Sequence, residues 1–265
     1  ANGKPVKSSY KVKPLDVITV MMDRPRYENE IIPEDIPLTI VYEDPYVMVV
    51  NKPAGLVVHP GHGNYHGTLV NALAWHMKDI PDYDANDPHV GLVHRIDKDT
   101  SGLLVVAKND SAHHSLAAQI AAHTAYRGYE AIVVGSPRED SGTVDKPIAR
   151  HKTDRKRMAI VEGGREAITH YTVLKRYRGY THMAFQLETG RTHQIRVHMA
   201  SIGHPLVGDE VYGPKKCPFK GLQGQTLHAR TLGIIHPTTG KYLEVNAPLP
   251  EYFIELLDRL RNIYN

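Results

Sequence analysis

One cysteine, Cys217, stands in 265 residues, which excludes an intramolecular disulfide framework. No Cys-x-x-Cys or Cys-Gly setting surrounds it, so it reads as an incidental thiol. No run of 18 apolar residues and no signal-peptide pattern occurs, so neither membrane insertion nor secretion is indicated and a reducing cytoplasm is expected. Internal repeats and low-complexity tracts are also absent. Seventeen histidines are present, yet there is no His-Glu-x-x-His and no Cys/His cluster with zinc spacing. His193 and His198 lie five apart and His113-His114 are adjacent, so no metal site is expected.

An excess of one sign of charge is lacking as well: the net charge is only +3, too small to argue for a polyanionic partner. Its distribution says more. Residues 146–178 hold ten Lys/Arg against three acids, a local charge of +7. A patch of that density can follow a phosphate backbone, or it can be a solvated loop face.

The pattern along the chain divides it in three. Residues 1–26 are basic, open with the turn signal Asn2-Gly3, and suggest two short strands near Lys4–Val6 and Asp16–Val20. Residues 27–37 are acidic and carry Pro33 and Pro37, which reads as a solvent-facing linker. Residues 38–265 carry the patterns of a folded domain. Strands are expected at 38–42, 46–51, 91–96, 103–107, 129–134, 168–176, 182–187, 231–235 and 242–245. Thr68 is placed to cap a helix to about His76, and Asp110 or Ser111 one to about His123. A short helix is expected over Thr192–Ala200, closed by Gly203. Glu251–Ile263 puts Phe253, Leu256, Leu257 and Leu260 on one stripe. Strands predominate and hairpins outnumber strand–helix–strand units. The expected class is α+β, with a largely antiparallel mixed central sheet and flanking helices and loops.

The informative stretch is His94-Arg95-Ile96-Asp97-Lys98-Asp99-Thr100-Ser101-Gly102. A strand delivers His94, Arg95 and Asp97 to a polar loop, where a carboxylate beside cations is ionised and able to act as a nucleophile. Taken alone, a turn aspartate capping backbone donors is the simpler reading.

This block resembles the signature of the RluA-type pseudouridine synthases, with Ile96 where leucine is usual. The resemblance runs through nearly all of residues 38–250. It takes in Val49, Asn51-Lys52-Pro53 with Gly55, His59-Pro60-Gly61, Arg127 with Tyr129-Glu130-Ala131, Gly190-Arg191-Thr192-His193-Gln194-Ile195-Arg196, His204-Pro205-Leu206-Val207-Gly208-Asp209 and Leu227-His228-Ala229. The loop His59-Pro60-Gly61 and the block Gly142-Thr143-Val144-Asp145 with Pro147-Ile148 resemble members that act on the large ribosomal subunit.

That resemblance implies isomerisation of uridine to pseudouridine in RNA without metal or organic cofactor. Asp97 matches the essential aspartate, which either attacks the anomeric carbon or removes a ribose proton to give a glycal. Tyr129 matches the tyrosine that stacks on the flipped base, and Arg196 the arginine paired with the aspartate. Arg95 resembles an arginine that enters the space vacated in the RNA, and Leu227 a pocket wall. His94, Thr100, Arg191 and His193 are expected among the RNA or substrate contacts. Residues 1–26 resemble the C-terminal remnant of an alpha-L RNA-binding module. The expected partner is RNA, chiefly large-subunit (23S) ribosomal RNA with transfer RNA as the alternative; a monomer in the cytoplasm and no membrane association are expected. A catalytically silent RNA-binding protein would be expected to lack Asp97 or Tyr129. A glycosidase would need a matched carboxylate pair, for which only Asp99 is at hand.

Overall fold

The computed structural model describes residues 1–7, 9–19, 31–61, 63–81 and 89–263. The chain divides into two units, Ala1–Glu30 and Ile31–Asn265.

In the first unit no strand forms among the described residues, against expectation. Pro5 and Pro14 each remove a ladder donor, and side chains supply the links instead. The Asn2 amide N–H donates to the Val17 carbonyl (2.8 Å) and Val17 N–H to Asn2 Oδ1 (2.8 Å). Asp16 gathers Asn2, Tyr10 and the Lys13 amide on its carboxylate. Of the expected linker, residues 27–30 lie outside the described residues. The rest is docked at Ile31, Glu34 and Ile36, while Ile32, Pro33, Asp35 and Pro37 are exposed. Glu34 N–H donates to the Asn71 carbonyl, Asn71 Nδ2 to the Ile32 carbonyl, and Gly67 N–H to the Glu34 carboxylate. Ile31 and Leu38 pack on the main core.

The second unit is α+β and largely antiparallel. Its strands are β1 (Ile40–Glu43), β2 (Val47–Lys52), β3 (Ser101–Ala107), β4 (Tyr126–Val134), β5 (Ser141–Asp145), β6 (Ile148–Arg150), β7 (Met158–Ile160), β8 (Ile168–Tyr177), β9 (Tyr180–Leu187), β10 (Leu227–Ile235) and β11 (Tyr242–Asn246). The helices are α1 (Leu69–Met77), α2 (Asp110–Ala121), α3 (Gln194–Ser201) and α4 (Glu251–Ile263). The main sheet runs β1-β2-β3-β10-β4-β9-β8-β5, with β11 also on β10; β6–β7 form a separate hairpin. Among the described residues only β3 and β10 pair in parallel.

Both faces of the sheet are covered, because β2 and β3 read as continuous apolar runs. Met48, Val50, Leu104 and Val106 face α1 and the larger core, while Val47, Val49, Leu103 and Val105 face α2. In β4 the same alternation sends Tyr129, Ala131 and Val133 to the larger core and Ile132 to α4, whose Phe253, Leu256, Leu257 and Leu260 form the expected stripe. Thr68 caps α1 in a reciprocal pair with Asn71. The cap of α2 is Asn109 rather than Asp110 or Ser111, its side chain accepting from Ala112 N–H at 2.9 Å. Asp110 instead sits in the first turn, where its charge suits the helix dipole.

The expected strand over 91–96 does not form. Val90 (φ 49) and Gly91 (φ 73) are left-handed, and the segment touches β3 through one bridge, Leu92 to Val106. Ala107 N–H donates to the Gly91 carbonyl, but the next donor on that edge, Val105 N–H, goes to His94 Nε2 at 2.9 Å. An imidazole replaces a backbone acceptor, so the chain is free to leave the sheet before Asp97. The expected loop also ends early, since Ser101 and Gly102 already belong to β3.

Within residues 146–178, the basic stretch is not one loop face. It is divided between the β6–β7 hairpin and β8, where Arg176 is tied to Ser136, the Pro137 carbonyl and Asp140. Gly102 fixes the parallel crossing: it has φ +114, and a Cβ there would meet the Ala229 backbone nitrogen at 2.5 Å. Gly102→Ala is therefore expected to lower unfolding free energy by about 3 kcal/mol. An unchanged midpoint in denaturant melts would contradict so close a crossing.

Candidate active site

A cavity of about 260 Å³ opens where the 94–100 loop, β4, the β9–α3 turn and β10 converge. Asp97, Tyr129, Arg196, Arg95, His94, Leu227, Thr100, Arg191 and His193 all line it, together with Arg127, Leu187 and Ile195. The nine positions singled out in the sequence are thus brought to one place, although they do different physical work there.

Arg196 is the centre. It lies on α3 and is 5% exposed. Its Nε and one terminal nitrogen donate to the two oxygens of Asp209 at 2.7 and 2.9 Å, a bidentate pair. The other terminal nitrogen donates to Asp97 Oδ2 at 2.8 Å. Burial disfavours the guanidinium charge, but the bonds and charge of Asp209, then of Asp97, outweigh it and push the pKa above its usual value. Asp209 is itself buried, which raises its pKa, yet Arg196 and the Tyr212 and Val211 amides bring it below the carboxylate norm. Asp97 is only partly buried and presents its other oxygen to the cavity side, with His193 Nε2 at 3.8 Å.

The tautomer of His193 follows from its neighbours. Tyr212 Oη accepts from Met158 N–H at 2.7 Å and shares a hydrogen bond with His193 Nδ1 at 2.8 Å; the Asp97 carboxylate on the Nε2 side favours the tautomer in which Nδ1 accepts the phenol proton. The imidazole proton then sits on Nε2, toward Asp97. Burial, and after it the charge of Arg196, lower the His193 pKa against the pull of Asp97, so the neutral ring prevails near pH 7. His193 has φ 57, a left-handed strain at the start of α3 that aims the ring into the site.

The loop that carries Asp97 is held from beneath by Lys52, which is 1% exposed. Its ammonium donates to the carbonyls of Pro53, Leu56 and Lys98, each at 2.8 Å. Burial brings it down to about 7, against the attraction of Asp99 and Asp97. Thr100 Oγ1 accepts from Gln225 Nε2 at 3.0 Å and is buried, so it anchors the loop at the cavity wall. His94 works in the same way, through Val105. Arg191 Nε donates to the Glu166 carbonyl at 2.8 Å, while Arg95 is exposed at the mouth. Tyr129 and Leu227 are nearly buried and lie diagonally on adjacent strands, Tyr129 pairing with Ala229 and Leu227 with Ala131. Burial raises the Tyr129 pKa, which keeps the phenol protonated.

Asp209, Lys52, Tyr212 and Arg127 received no role from the sequence. Asp209 and Lys52 stand inside the family-like blocks, and a lysine that precedes Pro-x-Gly is a signal of sorts. Nothing in the sequence separates Tyr212 from the other tyrosines. Among the described residues no group of three His, Cys, Asp or Glu is arranged to hold a metal ion. No described helix is long and apolar enough to cross a membrane.

Two outcomes follow from this geometry. Asp209→Asn removes one charge of a buried pair and is expected to cost about 3 kcal/mol, read by denaturant melts; a loss below 0.5 kcal/mol would contradict the buried-pair role. His94 must stay neutral to accept from Val105, and burial with the Arg127 charge holds it down to about 3. The unfolded chain takes up that proton near pH 6.5, so this stability is present above pH 6.5 and is lost as pH falls toward 3. Between pH 7 and pH 5 the parent should lose roughly 1 kcal/mol through this group, discounted for the open cavity beside it. His94→Gln should flatten that slope, and an unchanged slope would remove His94 from this role.

Comparison with known proteins gives this arrangement its context. The pattern of the RNA pseudouridylate synthase family matches residues 46–201. A Bacillus subtilis protein described as an uncharacterized RNA pseudouridine synthase is 50% identical over 98% of this chain and 84% of its own length. The ribosomal large subunit pseudouridine synthase D of Pseudomonas aeruginosa is 50% identical over 88% of this chain and 75% of its own. Among solved structures, human RNA pseudouridylate synthase domain containing 4 superposes with a TM-score of 0.66 at 27% identity, covering 84% of this chain and 92% of the other. With the fold, the matched blocks and the Asp97–Arg196 pair together, the chain belongs to the RNA pseudouridylate synthase family.

Proposed function

We propose that this enzyme converts uridine to pseudouridine in large-subunit ribosomal RNA, with Asp97 as the essential carboxylate. The Arg196–Asp97 ion pair is the observation that carries the reading. A partly buried carboxylate, held by a guanidinium that Asp209 fixes from behind, is ionised and aimed before substrate arrives. The ribosomal substrate is supported by the names of relatives such as the Pseudomonas aeruginosa and Zymomonas mobilis proteins, both ribosomal large subunit pseudouridine synthase D.

The chemistry asks for a base taken out of its stack, because the glycosidic bond is otherwise out of reach. In this reading Tyr129 offers the π surface for that base, with Leu227 on the neighbouring strand as part of the pocket wall. Asp97 then meets the sugar, at the anomeric carbon or at the adjacent C–H. The uracil leaves with the bonding electron pair, turns, and bonds to the same ribose through carbon 5, whose proton is then lost. Arg95, exposed at the mouth, is suited to the RNA backbone and the space left by the flipped nucleotide. His193 brings an Nε2 proton to the sugar side. Residues 1–26 act as part of an RNA-binding appendage, and residues 38–265 as the catalytic domain.

Asp97→Asn is expected to keep RNA binding and to lower tritium release from 5-tritiated uridine RNA by at least about 10³-fold. Turnover near the parent rate would take Asp97 out of its role. Pseudouridine mapping in ribosomal RNA from cells with and without the gene tests the substrate, and an unchanged large-subunit map would overturn it.

A further inference from the structure

The cavity has a second cationic pole that the Asp97 reading leaves unused. Arg127 lies on β4, two residues before Tyr129 and therefore on the same face of the strand. It lines the cavity and is only 6% exposed. One terminal nitrogen donates to the Glu188 carbonyl at 2.7 Å, and Nε is buried with no hydrogen-bond partner. Among the described residues it has no carboxylate partner, in contrast to Arg196, which has two. Its titratable neighbours, the cationic Arg191 and the protonated Tyr129, do not neutralise it. Gly190 packs against the guanidinium and leaves no room for a side chain there.

A guanidinium stays charged at any working pH. Buried without a counter-ion it is costly, and such a group is retained where an anion comes to it. The position says which anion. The sugar end of the cavity is marked by Asp97 and Arg196, and the backbone end by exposed Arg95. Arg127 is inside, beside the ring of Tyr129 and the apolar Val93 and Ile120. A phosphate would have to be drawn into this interior, whereas the base is there in any case.

Resting on the proposed isomerisation, we infer that Arg127 is a further catalytic residue that binds a carbonyl oxygen of the flipped uracil and stabilises the uracil anion. When the N1–C1′ bond breaks, its electron pair goes to the ring and spreads onto the carbonyl oxygens, whichever way Asp97 reacts. A guanidinium at such an oxygen gains interaction as the charge develops, which lowers the barrier rather than merely the binding energy. It also retains the detached base while it turns.

The test compares two RNAs, one with uridine and one with 5-fluorouridine at the target. Fluorine withdraws electrons and makes the uracil a better leaving group that depends less on outside stabilisation. Single-turnover loss of the target nucleoside is followed by chromatography of nuclease digests for the parent and Arg127→Met, with folding checked by circular dichroism. The variant is expected to be slowed about a hundredfold or more on uridine, with RNA affinity within threefold, and to recover at least tenfold of that deficit on 5-fluorouridine. A deficit equal on both RNAs would mean that Arg127 only holds the Glu188 turn or a phosphate, and would overturn the inference, as would a rate within threefold of the parent on uridine. If Arg127→Met does not fold, Arg127→Lys is judged by the same comparison: a deficit that shrinks on the fluorinated RNA supports the role, and one that does not overturns it. Failure of the parent protein itself to convert uridine would instead overturn the underlying isomerase reading.

Discussion

The site depends on one buried guanidinium shared between two carboxylates. Arg196 would be an expensive residue to bury alone, since an unpaired ion loses several kcal/mol of hydration. Asp209 meets two of its nitrogens in a plane, and the amides of Val211 and Tyr212 meet Asp209 in turn. This fixes the rotation of α3 relative to the 206–213 segment and leaves one nitrogen directed at Asp97. The stronger pair therefore does the holding and the weaker pair is left to the cavity, where Asp97 keeps an oxygen available. A carboxylate oriented this way needs no rearrangement to meet a ligand.

The rest of the architecture delivers the other half of that contact. The 94–100 loop leaves the edge of β3 because His94 takes the Val105 donor that a strand would have used. Lys52 collects three carbonyls beneath the loop, one of them from Lys98, next to Asp97. Gln225 holds Thr100 from the far side. These are polar bonds inside a largely apolar shell, so each is stronger than in water and each loss is correspondingly costly. Tyr212 adds a link of a different kind. It joins Met158 of the β6–β7 hairpin to His193, and so connects the basic hairpin to the orientation of a ring beside Asp97.

The two arginines inside the cavity are used differently. Arg196 is neutralised by the protein and serves as a fixed support. Arg127 is left without an anion by the protein, on the wall where a base would lie. On the proposed function, the contrast assigns the sugar to Asp97 and Arg196 and the base to Arg127 and Tyr129.

Much of this was legible before any coordinates. Period-two alternation placed β9, the four-residue stripe placed α4, and the ordered blocks around Asp97, Tyr129 and Arg196 marked the residues that meet in the cavity. Those features are local: side-chain periodicity and short motifs report on burial and chemistry within a few residues. The sequence did not show that His94 and Thr100, besides lining the cavity, hold the loop through Val105 and Gln225. Nor did it single out Asp209 as the partner that fixes Arg196, Lys52 as a buried cation, or residues 91–96 as irregular backbone rather than a strand. The short strands β5, β6 and β7 also escaped, because three to five residues of mixed polarity carry too little periodicity. By itself the sequence determined which chemical groups the protein has and which elements present them. Tertiary structure decided which of those groups are partnered and which remain available, because hydrogen-bond and charge partners such as Arg196 and Asp209 are assigned only when the folded chain brings them within 3 Å.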